Sequence, residues 1–132
     1  MRRTPWLIFG TAAAVLSLAG AADLAGDPSG LWKPFPAIFK IHSGTVADRT
    51  LPTARDRKLT VNVDGAAARE IFESIGPDVQ PTCNGGQGDR DRRRKGIYCT
   101  YDPADAKAKE GPYRCWIGVN LVTGEAENNV SC

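Results

Sequence analysis

The sequence predicts an α+β fold, a short helix packed on an antiparallel sheet and held by two disulfides. Three observations predict it. Residues 112–121 alternate between two faces, as in a half-buried strand: Tyr113, Cys115, Ile117, Val119 and Leu121 take one, and Arg114, Trp116, Gly118 and Asn120 the other. Ala68, Ile71, Phe72 and Ile75 recur at helical spacing. All four cysteines, Cys83, Cys99, Cys115 and Cys132, fall in the second half of the chain, behind an N-terminus that resembles an export signal.

That N-terminus sets the domain plan. Arg2 and Arg3 make a basic start, residues 7–18 an apolar run, and Ala19-Gly20-Ala21 a small-residue cleavage site. Residues 1–21 therefore read as a signal peptide, too short for comfortable membrane spanning, so no stable membrane span is expected after cleavage. Residues 22–56 form a partly irregular N-terminal segment, and residues 57–132 a disulfide-stapled α+β domain. The whole chain has 132 residues, 17 basic and 15 acidic, for a formal net charge of +2. Removing Arg2 and Arg3 with the signal leaves 15 of each sign, so no nucleic-acid partner is expected.

Within residues 22–56, Leu31, Trp32, Phe35, Ile38, Phe39 and Ile41 are concentrated enough to demand burial. Pro34 and Pro36 forbid one long helix, although Pro36 can start a short one through Lys40. Residues 43–56 read as a loop. Residues 58–64 alternate Leu59, Val61 and Val63 against Thr60 and Asn62, as a strand does. Asp64 is then placed to cap a helix of about three turns, which Gly76 and Pro77 close. Arg69, Glu70 and Glu73 take its outer face, and Ile71, Phe72 and Ile75 cover the sheet face bearing Ile117 and Val119.

Residues 96–101 form a second clear strand, stopped by Asp102-Pro103. A polar connection over residues 104–111 brings it antiparallel to residues 113–119. A turn at residues 122–125, with Thr123 and Gly124 as its loop, would make the C-terminus a third strand. Its register sets Ile117 against Val130 and Cys115 against Cys132. Cys115–Cys132 is thus the preferred bridge and Cys83–Cys99 follows by elimination, among three possible connectivities.

Catalytic signals are sparse. His42 is the chain's single histidine, expected to be a loop or packing residue, and adjacent Ser43 gives no triad geometry. No metal-ligating spacing is present and no cofactor is expected. Asp102, Asp105 and Glu110 cluster in sequence, but a turn cap explains that spacing equally well. Enzymatic activity is therefore not indicated.

Binding signals are stronger. Arg90, Arg92, Arg93, Arg94 and Lys95, interrupted by Asp91 and preceded by Gly85, Gly86 and Gly88, read as a charged loop. Guanidinium groups in a loop pinned by Cys83–Cys99 would suit an acidic partner. Arg114 and Trp116 share the strand face opposite the core. Trp32, Phe35 and Phe39, which also need burial, are expected to cover the indole; left uncovered, it would be an aromatic anchor. The expectation is a non-catalytic periplasmic or secreted protein that binds another protein, as an inhibitor or immunity-type antagonist. The alternatives are a module for envelope polymers, acidic surfaces or anionic ligands, and an envelope hydrolase using paired carboxylates.

Overall fold

A computed structural model describes residues 32–48, 50–83 and 85–128. Residues 1–21, where the sequence predicts a signal peptide, together with Leu31, Val130 and Cys132, lie outside the described residues. The architecture is one six-stranded antiparallel sheet with one α-helix. In chain order these are β1 (Ala37–His42), β2 (Lys58–Asp64), α1 (Gly65–Ser74), β3 (Asp78–Val79), β4 (Arg90–Arg94), β5 (Ile97–Tyr101) and β6 (Tyr113–Asn120), with a 3-10 helix (Pro103–Lys107) between β5 and β6. The strand order is β1-β2-β6-β5-β4-β3.

Three strands and the helix lie where alternation and helical spacing put them. Val63 is paired with Cys115 and Cys115 with Cys99, so these three side chains share one face. That face carries α1, whose Ala68 and Phe72 are fully buried against Val63, Cys99 and Cys115. Ile71, Ile75, Ile97, Tyr101, Tyr113 and Ile117 close around them. Phe72 meets Tyr113 edge-on at 5.4 Å between ring centroids, a favoured aromatic geometry. Arg69 and Glu73 stay outside and pair one helical turn apart at 2.8 Å.

Two strands depart from expectation. Residues 37–40, where a short helix was foreseen, belong to β1, which pairs with β2 over all six residues. The compact unit accordingly begins at Lys33. The charged run is a strand too, not a loop: Arg90–Arg94 pairs with Ile97–Tyr101 through a hairpin whose tip is Lys95-Gly96. Gly96 takes a positive φ of 77° there, and its missing Cβ leaves room for Ala126.

The disulfide expectation is corrected. Cys99 is bonded to Cys115, with Cα atoms 4.1 Å apart, and neither Cys83–Cys99 nor Cys115–Cys132 forms. Cys83 is itself disulfide-bonded. The reason is topological. β6 is a central strand with β2 on one side and β5 on the other, so Ile117 faces Val61 and Ile97. A C-terminal strand has no edge left at Cys115. The turn also closes two residues earlier than expected. Asn120 Oδ1 accepts the N–H groups of Val122 and Thr123, and Asn120 N donates to Glu125 O at 2.7 Å. The chain then makes one bridge, Val119 to Ala126, beyond the end of β5.

Asp64 stands at the start of α1 but gives it no side-chain cap. Its carboxylate is drawn instead to Arg114, whose Nε donates at 3.0 Å. His42 is fully buried on β1, and its Nε2 lies 2.8 Å from Thr60 Oγ1. The following loop folds back around it: Ser43 Oγ donates to Asp56 O, and Lys40 Nζ donates to Val46 O and Asp48 O. This is the packing role foreseen for the histidine.

Candidate interaction surface

Strand alternation splits the four arginines of β4 between two faces. Arg90, Arg92 and Arg94 pair with Tyr101, Cys99 and Ile97, which puts them on the helix side. The last turn of α1 has no basic residue of its own, and these arginines supply that charge from the neighbouring strand. Arg92 Nη1 donates to Phe72 O at 2.8 Å, and Arg94 Nη2 donates to Gly76 O at 2.6 Å. Cations at a helix C-terminus satisfy its orphan carbonyls and complement its dipole. The Arg92 guanidinium also lies 4.4 Å from the Phe72 ring centroid, with Arg90 at 5.2 Å.

Asp78 on β3 fastens the same pair. Arg90 Nε and Arg92 Nε donate to its two carboxylate oxygens at 2.7 and 2.6 Å. These hydrogen bonds, Arg90's foremost, hold the Asp78 carboxyl at about 2, well below its usual value. A depressed carboxylate favours the folded state above its unfolded value near pH ~4 and stops doing so as pH falls through the folded value. Wild-type melting temperature is therefore expected to fall between about pH 4 and pH 2, where the unfolded chain binds more protons at this position. Asp78→Asn should be less stable at neutral pH and show a shallower decline across that window, as thermal melts at several pH values would read. The carboxylate is partly exposed, so added salt should shrink the difference.

The opposite face collects the remaining predicted residues. Arg93, Tyr98, Trp116 and Asn62 form one row across β4, β5, β6 and β2. The Arg93 guanidinium sits 4.7 Å from the Tyr98 ring centroid, and Tyr98 stacks on Trp116 at 5.4 Å. Trp116 Nε1 donates to the Asn62 amide oxygen at 3.0 Å, with that amide turned to satisfy both its neighbours. Tyr98 Oη donates to Asp91 Oδ2 at 2.8 Å, and burial together with this bond pushes its hydroxyl up to about 12. Tyr98 therefore remains a donor under physiological conditions.

The structure thus brings Arg93, Arg114 and Trp116 to one face, sends Arg90, Arg92 and Arg94 to the other, and leaves Lys95 exposed at the hairpin tip. Trp116 is partly covered by Tyr98. Trp32, Phe35 and Phe39 are all exposed, and Phe39 lies on the helix side of the sheet. In the β5–β6 connection the Asp102 carboxylate has a local role. Asp102 Oδ1 accepts from Ala104 N, and Asp105 N donates to Asp102 O, which caps the 3-10 helix.

What the arginines do not supply, an apolar surface does. α1 covers the end of the sheet where Val63, Cys115 and Cys99 lie. At the other end of the same face, Phe39 pairs with Val61 and Val61 with Ile117; Ile41 pairs with Leu59 and Leu59 with Val119. Phe39 is 71% exposed, Ile41 40%, and Leu121 just past β6 43%. Leu59 and Val119 are half-buried between them. Pairs of apolar residues on three adjacent strands make a contiguous patch rather than scattered single side chains, and such patches mark interaction sites. The described members of the N-terminal cluster expected to be buried, Trp32, Phe35, Ile38, Phe39 and Ile41, are exposed. Its signal was the unbroken apolar triplet Ala37-Ile38-Phe39, which puts hydrophobic groups on both faces of a strand.

Comparison with protein-family models, curated proteins and solved structures finds no match for this chain. Fold and surface together define a small disulfide-bonded α+β domain whose sheet carries a helix at one end and an exposed apolar face at the other.

Proposed function

We propose that this chain is an exported, non-catalytic protein-binding domain, acting in the periplasm or outside the cell as an inhibitor or immunity-type antagonist. The observation that carries it is the exposed apolar patch of Phe39, Ile41 and Leu121 around Leu59 and Val119. Burying such a surface drives protein association, at roughly 25 cal/mol per Å² of apolar area removed from water. The basic run supports this choice over an acidic polymer. Three of its arginines are committed to α1 and Asp78, and Arg93 lies over the Tyr98 ring with Asp91 at 3.8 Å, its Nε and Nη2 buried without a hydrogen bond. The bonded state of Cys99 and Cys115 fits an oxidising compartment, as does the leader over residues 1–21.

The test is capture by the mature oxidised protein from envelope and secreted fractions, in low and in high salt. A protein partner should be retained in high salt, because apolar contacts are not screened. Leu121→Asp, at an exposed position, should lower its retention tenfold or more, while Arg93→Ala with Lys95→Ala should leave it within about twofold. Binding that disappears in salt, ignores Leu121→Asp and depends on the basic residues would overturn the reading in favour of an anionic polymer.

A further inference from the structure

The two ends of the sheet differ in how they are finished. β3 is two residues long, and its Asp78 is ion-paired to Arg90 and Arg92. Short, charged edges resist pairing with another strand. β1 has six residues, pairs with β2 in unbroken register, and is exposed from Ala37 through Ile41. Alternate residues of an edge strand turn their N–H and C=O groups outward, so β1 offers a ready ladder. Its one charged side chain does not guard it, since Lys40 Nζ is held by Val46 O and Asp48 O of the following loop.

We propose that this edge pairs with β1 of a second copy of the chain, antiparallel across a two-fold axis, with Phe39 opposite Phe39. The inference goes beyond the capture function and stands or falls without it.

Antiparallel pairing of identical edges in one continuous sheet requires an axis normal to that sheet. Such an axis keeps each face on its own side, so only residues of one face can oppose each other. Any residue of the strand can serve as such a centre, but those near its ends pair little of it. Centring on Lys40 sets two ammonium-bearing side chains directly opposite, a destabilising pair, and places Ile38 against the buried His42. Centring on Ile38 brings Pro36, which lacks an N–H, against Lys40. Centring on Phe39 pairs residues 37–41 completely. Ala37 meets Ile41, Ile38 meets the aliphatic stem of Lys40, and the two phenyl rings meet on the axis.

The same operation sets both helices on one side and joins the two apolar patches across the axis. Ile38 and Phe39, 72% and 71% exposed in the single chain, each gain a cross-strand neighbour while the sheet faces stay open. A formal net charge of +2 per chain offers little repulsion to self-association.

Sedimentation of the oxidised protein over a range of concentrations tests this. Wild type should interconvert reversibly between monomer and dimer. Phe39→Lys and Phe39→Glu, at an exposed site, should keep the circular dichroism and melting behaviour of the fold. Each alone should weaken association at least tenfold, because like charges then meet on the axis. Mixed in equal amounts, the two variants should recover a dimer containing one of each, since opposite charges then meet at the same point. A wild type that stays monomeric up to about 1 mM overturns the proposal. So does a dimer indifferent to either variant, or a mixture that fails to recover association. Loss of capture with Leu121→Asp while this dimer persists would separate the two surfaces.

Discussion

Phe72→Ala is expected to cost about 3–5 kcal/mol of stability, the range for truncating a buried aromatic in a packed core. Urea denaturation followed by circular dichroism should read it as a lower midpoint with the slope unchanged. Phe72 is fully buried and ties α1 to both β6 and β4. Its ring meets Tyr113 on β6 and lies under the guanidinium groups of Arg90 and Arg92 on β4. Its carbonyl accepts from Arg92. A helix of ten residues has little stability of its own and relies on such packing. Phe72→Leu, which retains much of the volume, should lose clearly less than Phe72→Ala. Against a total stability of roughly 5–15 kcal/mol, the alanine variant should leave the domain marginal. A loss under about 1 kcal/mol would mean that α1 does not dock through this ring.

The parts of the fold that were legible in the sequence are those whose period is undisturbed. β2, β5 and β6 alternate, and α1 repeats Ala68, Ile71, Phe72 and Ile75 with Gly76-Pro77 behind it. β4 is the opposite case. Arg90-Asp91-Arg92-Arg93-Arg94 carries no hydrophobic alternation, and charged residues are poor strand formers in isolation. It becomes a strand because each face finds tertiary partners: helix carbonyls, Asp78 and the Phe72 ring for the even-numbered arginines, and Tyr98 for Asp91 and Arg93. Apart from Tyr98 across the hairpin, those partners are distant in sequence. β1 was hidden for a different reason. Its apolar residues occupy both faces, which reads as a demand for burial until the strand is seen at the sheet edge.

The candidate site was legible only in part. Arg114 and Trp116 do share the face opposite the helix, as alternation implies, and Arg93, expected in a loop, joins them there from β4. Counting arginines along the chain, however, overstated the binding surface, because alternation on a strand halves any charge run and the helix terminus then claims one half. The apolar patch was missed because it is an omission in coverage. Where α1 ends over the sheet cannot be read from the spacing of Ile71, Phe72 and Ile75, yet it decides whether Phe39 and Ile41 are core or surface.

The disulfide shows the same dependence on topology and gives the second large effect. Replacing Cys99 and Cys115 together by alanine should cost about 3 kcal/mol, the chain-entropy value for a closed loop of this length. The residues lie 16 apart in sequence and directly opposite on β5 and β6. Both sulfurs sit in the core under Ala68, so the replacement also removes buried volume. Equilibrium unfolding of oxidised wild type and double variant measures the difference. The connectivity has a sharper readout. Had Cys83 been joined to Cys99, Cys83→Ala would release a thiol on β5 for alkylation. With Cys99 held by Cys115, peptide mapping of alkylated Cys83→Ala should find both of these residues unmodified and still crosslinked. Label on Cys99 would place the bridge elsewhere and detach β5 from the arrangement that lets α1, Asp78 and the β4 arginines meet around Phe72.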